Sequence, residues 1–80
     1  MAPVGEFELN DGPEYAWLQM VRHLEARISA GELPPGSRLP GERDLSVEYG
    51  VALGTVRRAL QEMRDRNLVV TTPSKGTFIV

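Results

Sequence analysis

The chain has no cysteine, which excludes disulfide staples and thiolate metal ligands and fits a reducing compartment. No apolar run approaches the ~18 residues that a membrane span needs. The first residues also lack a basic stretch leading into an apolar one. A cytoplasmic location without a membrane partner is therefore expected. The one histidine, His23, has no second ligand candidate near it, so neither a metal nor a cofactor is expected. No nucleophile is paired with a base. Asp44 and Glu48 sit one helical turn apart, as many surface carboxylates do, and imply no hydrolytic pair. Nothing suggests an enzyme. Internal repeats and low-complexity tracts are absent as well.

What is present fits one small domain. A chain of 80 residues buries only about 60% of its unfolded surface, so one core is the most it can build. Its 41% hydrophobic and 25% charged residues read as globular rather than disordered. The net charge of −2 hides an uneven distribution. Residues 1–14 hold four acids, Glu6, Glu8, Asp11 and Glu14, and no base. The remainder carries nine bases against seven acids, a local +2. The field felt by a partner is local, so the position of the charge counts for more than its total.

Residues 1–12 show no period and read as a flexible acidic arm ahead of a domain over 13–80. Asp11-Gly12-Pro13-Glu14 reads as a helix start, with Asp11 as the cap. Trp17, Met20, Val21, Leu24 and Ile28 then recur at helical spacing, and Gly31 with Pro34-Pro35 ends the helix. A second helix is expected over 42–49, capped by Gly41, with Leu45 and Tyr49 facing inward. Gly50 supplies a sharp turn. A third helix over about 53–66 buries Val56, Ala59, Leu60 and Met63. Two β-branched runs around Pro73-Ser74-Lys75-Gly76 read as a hairpin. Three helices followed by a two-stranded wing make a mainly α fold, the winged helix-turn-helix.

That shape is suited to DNA. The major groove, about 12 Å wide, admits one α-helix, whose first turns meet the base edges. Here those turns would bring Leu53, Gly54, Thr55, Arg57 and Arg58. An arginine pairs in two-pronged fashion with guanine, Thr55 offers a hydroxyl and a methyl, and Gly54 lets the backbone approach. Arg43, at the start of the second helix, has the reach for a phosphate or an outer base. Lys75 and Gly76 at the wing tip, in the 73–76 turn, suit a narrow minor groove.

At these residues the chain resembles the N-terminal DNA-binding domain of the GntR family of bacterial transcription regulators. The match runs through Ile28 and Gly31, then Pro35-Gly36, Arg38-Leu39-Pro40 and Glu42-Arg43-Asp44-Leu45. It continues through Gly50-Val51, Thr55-Val56-Arg57, Ala59-Leu60, Leu68-Val69 and Gly76-Thr77-Phe78. It spans residues 17–80, and the full series in order is far more specific than any piece. The resemblance implies a sequence-specific transcription regulator, with repression the expected direction, bound as a homodimer to a pseudo-palindromic operator in double-stranded DNA. Of the family's DNA-contacting positions, Arg43, Thr55, Arg57 and Gly76 are retained. Arg58 and Lys75 are added from charge and helix face.

The departures matter too. Ala52-Leu53 stands where the family has Ser-Arg, which removes a helix cap and a DNA-facing arginine. Gly41 replaces a capping serine, Asn67 the glycine before Leu68-Val69, and Ser74 the first wing glycine. An exposed Leu53 motivates the alternative, a winged helix that has lost DNA readout and binds a protein. Family members usually continue into a larger effector-binding domain, so no effector is expected within these residues.

Overall fold

The computed structural model describes residues 4–80. The helices are α1 (Ala16–Ser29), α2 (Glu42–Tyr49) and α3 (Leu53–Asp65). Strands β1 (Val69–Thr72) and β2 (Gly76–Ile79) pair antiparallel, with Val69 opposite Ile79 and Thr72 opposite Gly76. No helix among the described residues is long and apolar enough to cross a membrane. The order and the fold class are those expected from the sequence.

One core joins all the elements. Met20, Val21 and Leu24 from α1 meet Leu45 and Tyr49 from α2, then Val56, Ala59, Leu60 and Met63 from α3. Val69, Ile79, Leu33 and Leu39 close it. Trp17 and Ile28, the outer members of the α1 stripe, pack against its edge. Between α2 and α3 the chain reverses at Gly50, whose φ of 64° and ψ of 36° fall where a Cβ is penalised. Ser46 Oγ donates to the Val51 carbonyl at 2.6 Å and ties the turn to α2.

Helix α1 starts later than Asp11-Gly12-Pro13-Glu14 suggests. Its N-cap is Tyr15, with no side-chain capping bond, and Asp11 caps nothing. The reason is a competing local structure. Asn10 Oδ1 accepts from the Gly12 amide at 2.6 Å. Gln19 clasps Asn10 on both sides, accepting from its amide at 2.8 Å and donating to its carbonyl at 2.9 Å. These bonds hold residues 10–14 as a loop across the first turn, where asparagine favours turns over helix.

Of the segment read as a flexible acidic arm, residues 1–3 lie outside the described residues. Phe7 packs against the rings of Tyr49 and His23, with centroids 4.9 and 5.4 Å away. Beside it, His23 Nε2 lies 2.7 Å from the Gly5 carbonyl, which can only accept, so this nitrogen carries a proton. His23 Nδ1 lies 2.8 Å from the Tyr49 hydroxyl, whose oxygen accepts from Arg27 Nη1 at 3.2 Å. Burial pushes the Tyr49 phenol above its ordinary range, with the Arg27 hydrogen bond opposing.

The sheet holds one more piece than a two-stranded wing. Residues 36–39 run along the free edge of β2, with an antiparallel bridge between Arg38 and Phe78. Leu39 N donates to Thr77 O, Ile79 N to Ser37 O and Gly36 N to Ile79 O, each at 2.8 Å. Strand β2 is thus bonded on both sides and the wing base is clamped to the chain entering α2.

Two departures from the family pattern now have a conformational reading. Asn67 and Ser74 are the two non-glycine residues with positive φ among those described, at 58° and 65°. Both stand where the resembled family carries glycine. Lys75 N donates to Thr72 O at 3.0 Å, so Pro73 and Ser74 are the central residues of a β-turn. Proline second and positive φ third is the type II pattern, which favours glycine third. Relief of the left-handed strain, about 1–2 kcal/mol, exceeds the about 0.4–1 kcal/mol of extra chain entropy that glycine loses on folding. Ser74→Gly should therefore raise stability by up to about 1 kcal/mol, and Asn67→Gly should change little, because asparagine tolerates this region. Urea unfolding of the two variants checks this. An unfolding midpoint lowered by Ser74→Gly would mean that the turn is not strained.

Candidate nucleic-acid interface

The geometry that matters begins with how α3 is rolled. Val56, Ala59, Leu60 and Met63 are buried, so the opposite stripe, led by Gly54, Arg57 and Gln61, faces solvent. At Gly54 nothing lies within 4 Å of where a Cβ would be, so no packing within the chain demands the glycine. Thr55 and Leu53 are half-buried at the front of the helix. The motive for a protein-binding surface at an exposed Leu53 is thereby weakened. Among the described residues the exposed large apolar side chains are Leu9, Tyr15, Val47, Val70 and Val80 instead.

The two neighbouring arginines of α3 part company. Arg57 leans toward α2, where its Nε donates to Glu42 Oε1 at 3.2 Å. Their side chains are 61% and 43% exposed, so the pair contributes little to stability. It fixes where the guanidinium points. Only Nε is engaged, and the two terminal nitrogens of the guanidinium, the prongs that match guanine, have no partner among the described residues. Arg58 turns toward α1. Its guanidinium carbon stands 3.9 Å from the Trp17 ring centroid, and Nη2 donates to Glu62 at 3.1 Å. Tyr15 stacks on the same indole at 6.1 Å between centroids. Glu62 also accepts from Arg66 Nε at 2.9 Å. Bonds from Arg66 and then Arg58 hold its carboxyl below the ordinary carboxylate range.

Helices α2 and α3 both begin without a side-chain capping bond, at Gly41 and Ala52. Their first backbone amides are left for outside acceptors. Arg43 is exposed in the first turn of α2.

Charge pairing separates the cations into two groups. Arg22, Arg27, Arg57, Arg58 and Arg66 each have a carboxylate within salt-bridge distance. Among the described residues Arg38, Arg43 and Lys75 are exposed and have none. Arg64 bonds neutral partners, Thr71 Oγ1 at 2.9 Å and Gln61 Oε1 at 3.2 Å, and braces β1 against α3. The charge without a carboxylate thus sits at the start of α2, beside β2, at the wing tip and, in Arg64, at the last turn of α3. Lys75 and Gly76 occupy that tip. Gly76 has a φ of 125°, which favours glycine, and a Cβ there would lie 2.6 Å from Arg38 Nε. Arg38 is a neighbour of the wing that sequence reasoning missed, since nothing local announces a pairing across 40 positions.

The chain matches the family described as bacterial regulatory proteins, gntR family, over residues 18–79. It is 50% identical over 52 residues to the HTH-type transcriptional regulator Rv1152 of Mycobacterium tuberculosis, a stretch covering 65% of this chain and 43% of that protein. It is 32% identical over 68 residues to the mannosyl-D-glycerate transport/metabolism system repressor MngR of Escherichia coli, covering 85% of this chain and 28% of that one. The chain thus matches less than half the length of each of these relatives. The DNA-binding domain of AraR, solved in complex with operator ORX1, superposes with a TM-score of 0.80 at 25% identity. That match covers 90% of this chain and 93% of that one.

Proposed function

From the premise that the chain belongs to the gntR family of bacterial regulatory proteins, we propose that it is the DNA-reading part of a transcription repressor. Helix α3 enters the major groove and the β1–β2 wing meets the adjacent minor groove. Arg57 reads a guanine with the two nitrogens that Glu42 leaves free. Gly54 permits close backbone approach, with Thr55 and Leu53 beside it at the helix front. Arg43 takes a phosphate or outer base, and Lys75 with Gly76 enters the minor groove. Arg58 joins only after leaving Trp17 and Glu62, and so belongs to the bound state alone. Two copies bind a pseudo-palindromic operator, one per half-site.

The observation that carries this reading is the solvent-facing stripe of α3, led by a glycine with no packing role and an arginine held by Nε alone. The AraR complex supports it from outside the chain, and a repressor among the relatives supports the direction.

Equilibrium titration of the full chain against a pool of duplexes tests the reading. Binding should be selective within the pool. With about four phosphate contacts, affinity should fall on the order of a hundredfold between ~50 and ~200 mM salt. Salt-insensitive, unselective binding would sink the proposal and favour an apolar protein partner.

A further inference from the structure

One exposed cation lies along the wing without belonging to it in sequence. Arg38 bridges Phe78 of β2. Side chains alternate along a strand, so Arg38, Phe78 and Gly76 share one face of the sheet. From its place opposite Phe78 the side chain runs toward the hairpin tip. Its Nε ends 2.6 Å, and its Cζ and Nη2 3.4 Å, from the position of a Cβ on Gly76. The missing side chain of Gly76 is what makes room for the guanidinium. Arg38 is exposed, and among the described residues it has neither a carboxylate nor any other side-chain hydrogen-bond partner. Lys75 adjoins Gly76 and is equally unpaired. Five donors of a rigid fork are thus laid against the base of the wing tip with their bonding capacity unspent.

We propose that Arg38 is a second DNA-contacting cation of the wing, acting beside Lys75 in the minor groove flanking the bases read by α3. The inference rests on the functional reading above and adds a residue and a specificity to it. Runs of A·T pairs narrow the minor groove and deepen its negative potential, which favours an inserted arginine. Arginine is more weakly hydrated than lysine and loses less on entering so confined a site. The clamp of residues 36–39 onto β2 couples this arginine to the chain entering α2. The wing and the helix-turn-helix therefore address DNA as one rigid unit.

The test uses duplexes selected by the full chain from a randomised pool, remade with either A·T or G·C runs flanking the selected core. The unaltered chain should prefer the A·T flanks on the order of tenfold. Arg38→Ala should lose most of that preference, with a much smaller effect on the G·C-flanked duplex. Arg38→Lys, which keeps the charge without the fork, should recover only part of it. Circular dichroism confirms that both variants are folded. If Arg38→Ala keeps the full flank preference, the assignment is wrong. Equal weakening on both flank sets, with a salt slope shallower by about one, would place Arg38 on a phosphate and overturn the groove assignment. A wild-type chain that selects no duplex at all would remove the functional reading itself, and that outcome shows before any variant is made.

Discussion

Arg57→Ala should abolish discrimination at one base pair of the operator half-site while leaving the fold intact. A two-pronged arginine–guanine contact carries about 1–3 kcal/mol of discrimination, or about five- to 150-fold between the preferred duplex and one with that guanine replaced. Stability should move by no more than about 0.5 kcal/mol, because the pair that Arg57 makes with Glu42 is solvent-exposed. Arg57→Lys retains the charge without the fork and should bind nearly as tightly but with relaxed choice. Glu42→Gln tests the orienting role. If Glu42 holds the guanidinium through Nε, removing its charge should relax base choice in the native background and do little in Arg57→Ala. Titrations against matched and mismatched duplexes give all four corners. Undiminished base preference in Arg57→Ala would refute the assignment of α3 as the reading helix.

Leu45→Ala should produce the largest loss of stability for a single change in the helix-turn-helix. Helix α2 is eight residues long and buries two of them, Leu45 and Tyr49. Truncating a fully buried leucine destabilises by about 2–5 kcal/mol, because the lost transfer energy is compounded by the cavity left behind. A domain of this size has about 4–12 kcal/mol in total, so the loss is at least about a sixth of the whole and can approach all of it. The midpoint of thermal unfolding should drop by roughly 10 °C or more. DNA binding should suffer too, since α2 carries both Arg43 and the carboxylate that orients Arg57. Urea denaturation with an unchanged slope would assign the effect to packing. A loss below about 1 kcal/mol would mean that burial of Leu45 is not what holds α2.

The features legible in the sequence are those set by neighbours along the chain. The spacing of Met20, Val21 and Leu24, the glycine at position 50, and the inward pair Leu45 and Tyr49 follow from helical period and turn chemistry, and the structure has them where expected. The hairpin likewise follows from β-branched runs around a Pro-Ser-Lys-Gly turn. Features set by distant or side-chain partners were not legible. The start of α1 moved because Gln19 reaches back to Asn10, a preference that no cap signal at Asp11 could weigh against. Residues 36–39 join the sheet through bonds to residues 77 and 79, so no local pattern marks them as a strand. Nor does the sequence give the direction of an exposed arginine. Arg57 and Arg58 are adjacent, yet one leans on Glu42 and the other on Trp17. The positive φ of Ser74 was concealed because serine does not advertise a left-handed residue as glycine does. The cationic wing neighbour, Arg38, was missed for the same reason as its strand.

The contact between Arg58 and Trp17 has a practical side. Trp17 is the chain's one tryptophan, so its emission comes from a single, known place in the molecule. A guanidinium stands 3.9 Å over that ring, close enough for an electrostatic hold on its π-electrons. Arg58 itself borders the exposed stripe of α3. Anything that lands there and draws the guanidinium toward a phosphate lifts the charge off the indole, shifting the colour and yield of its emission. Docking on that stripe should therefore be readable from the protein's own emission, without attaching a dye.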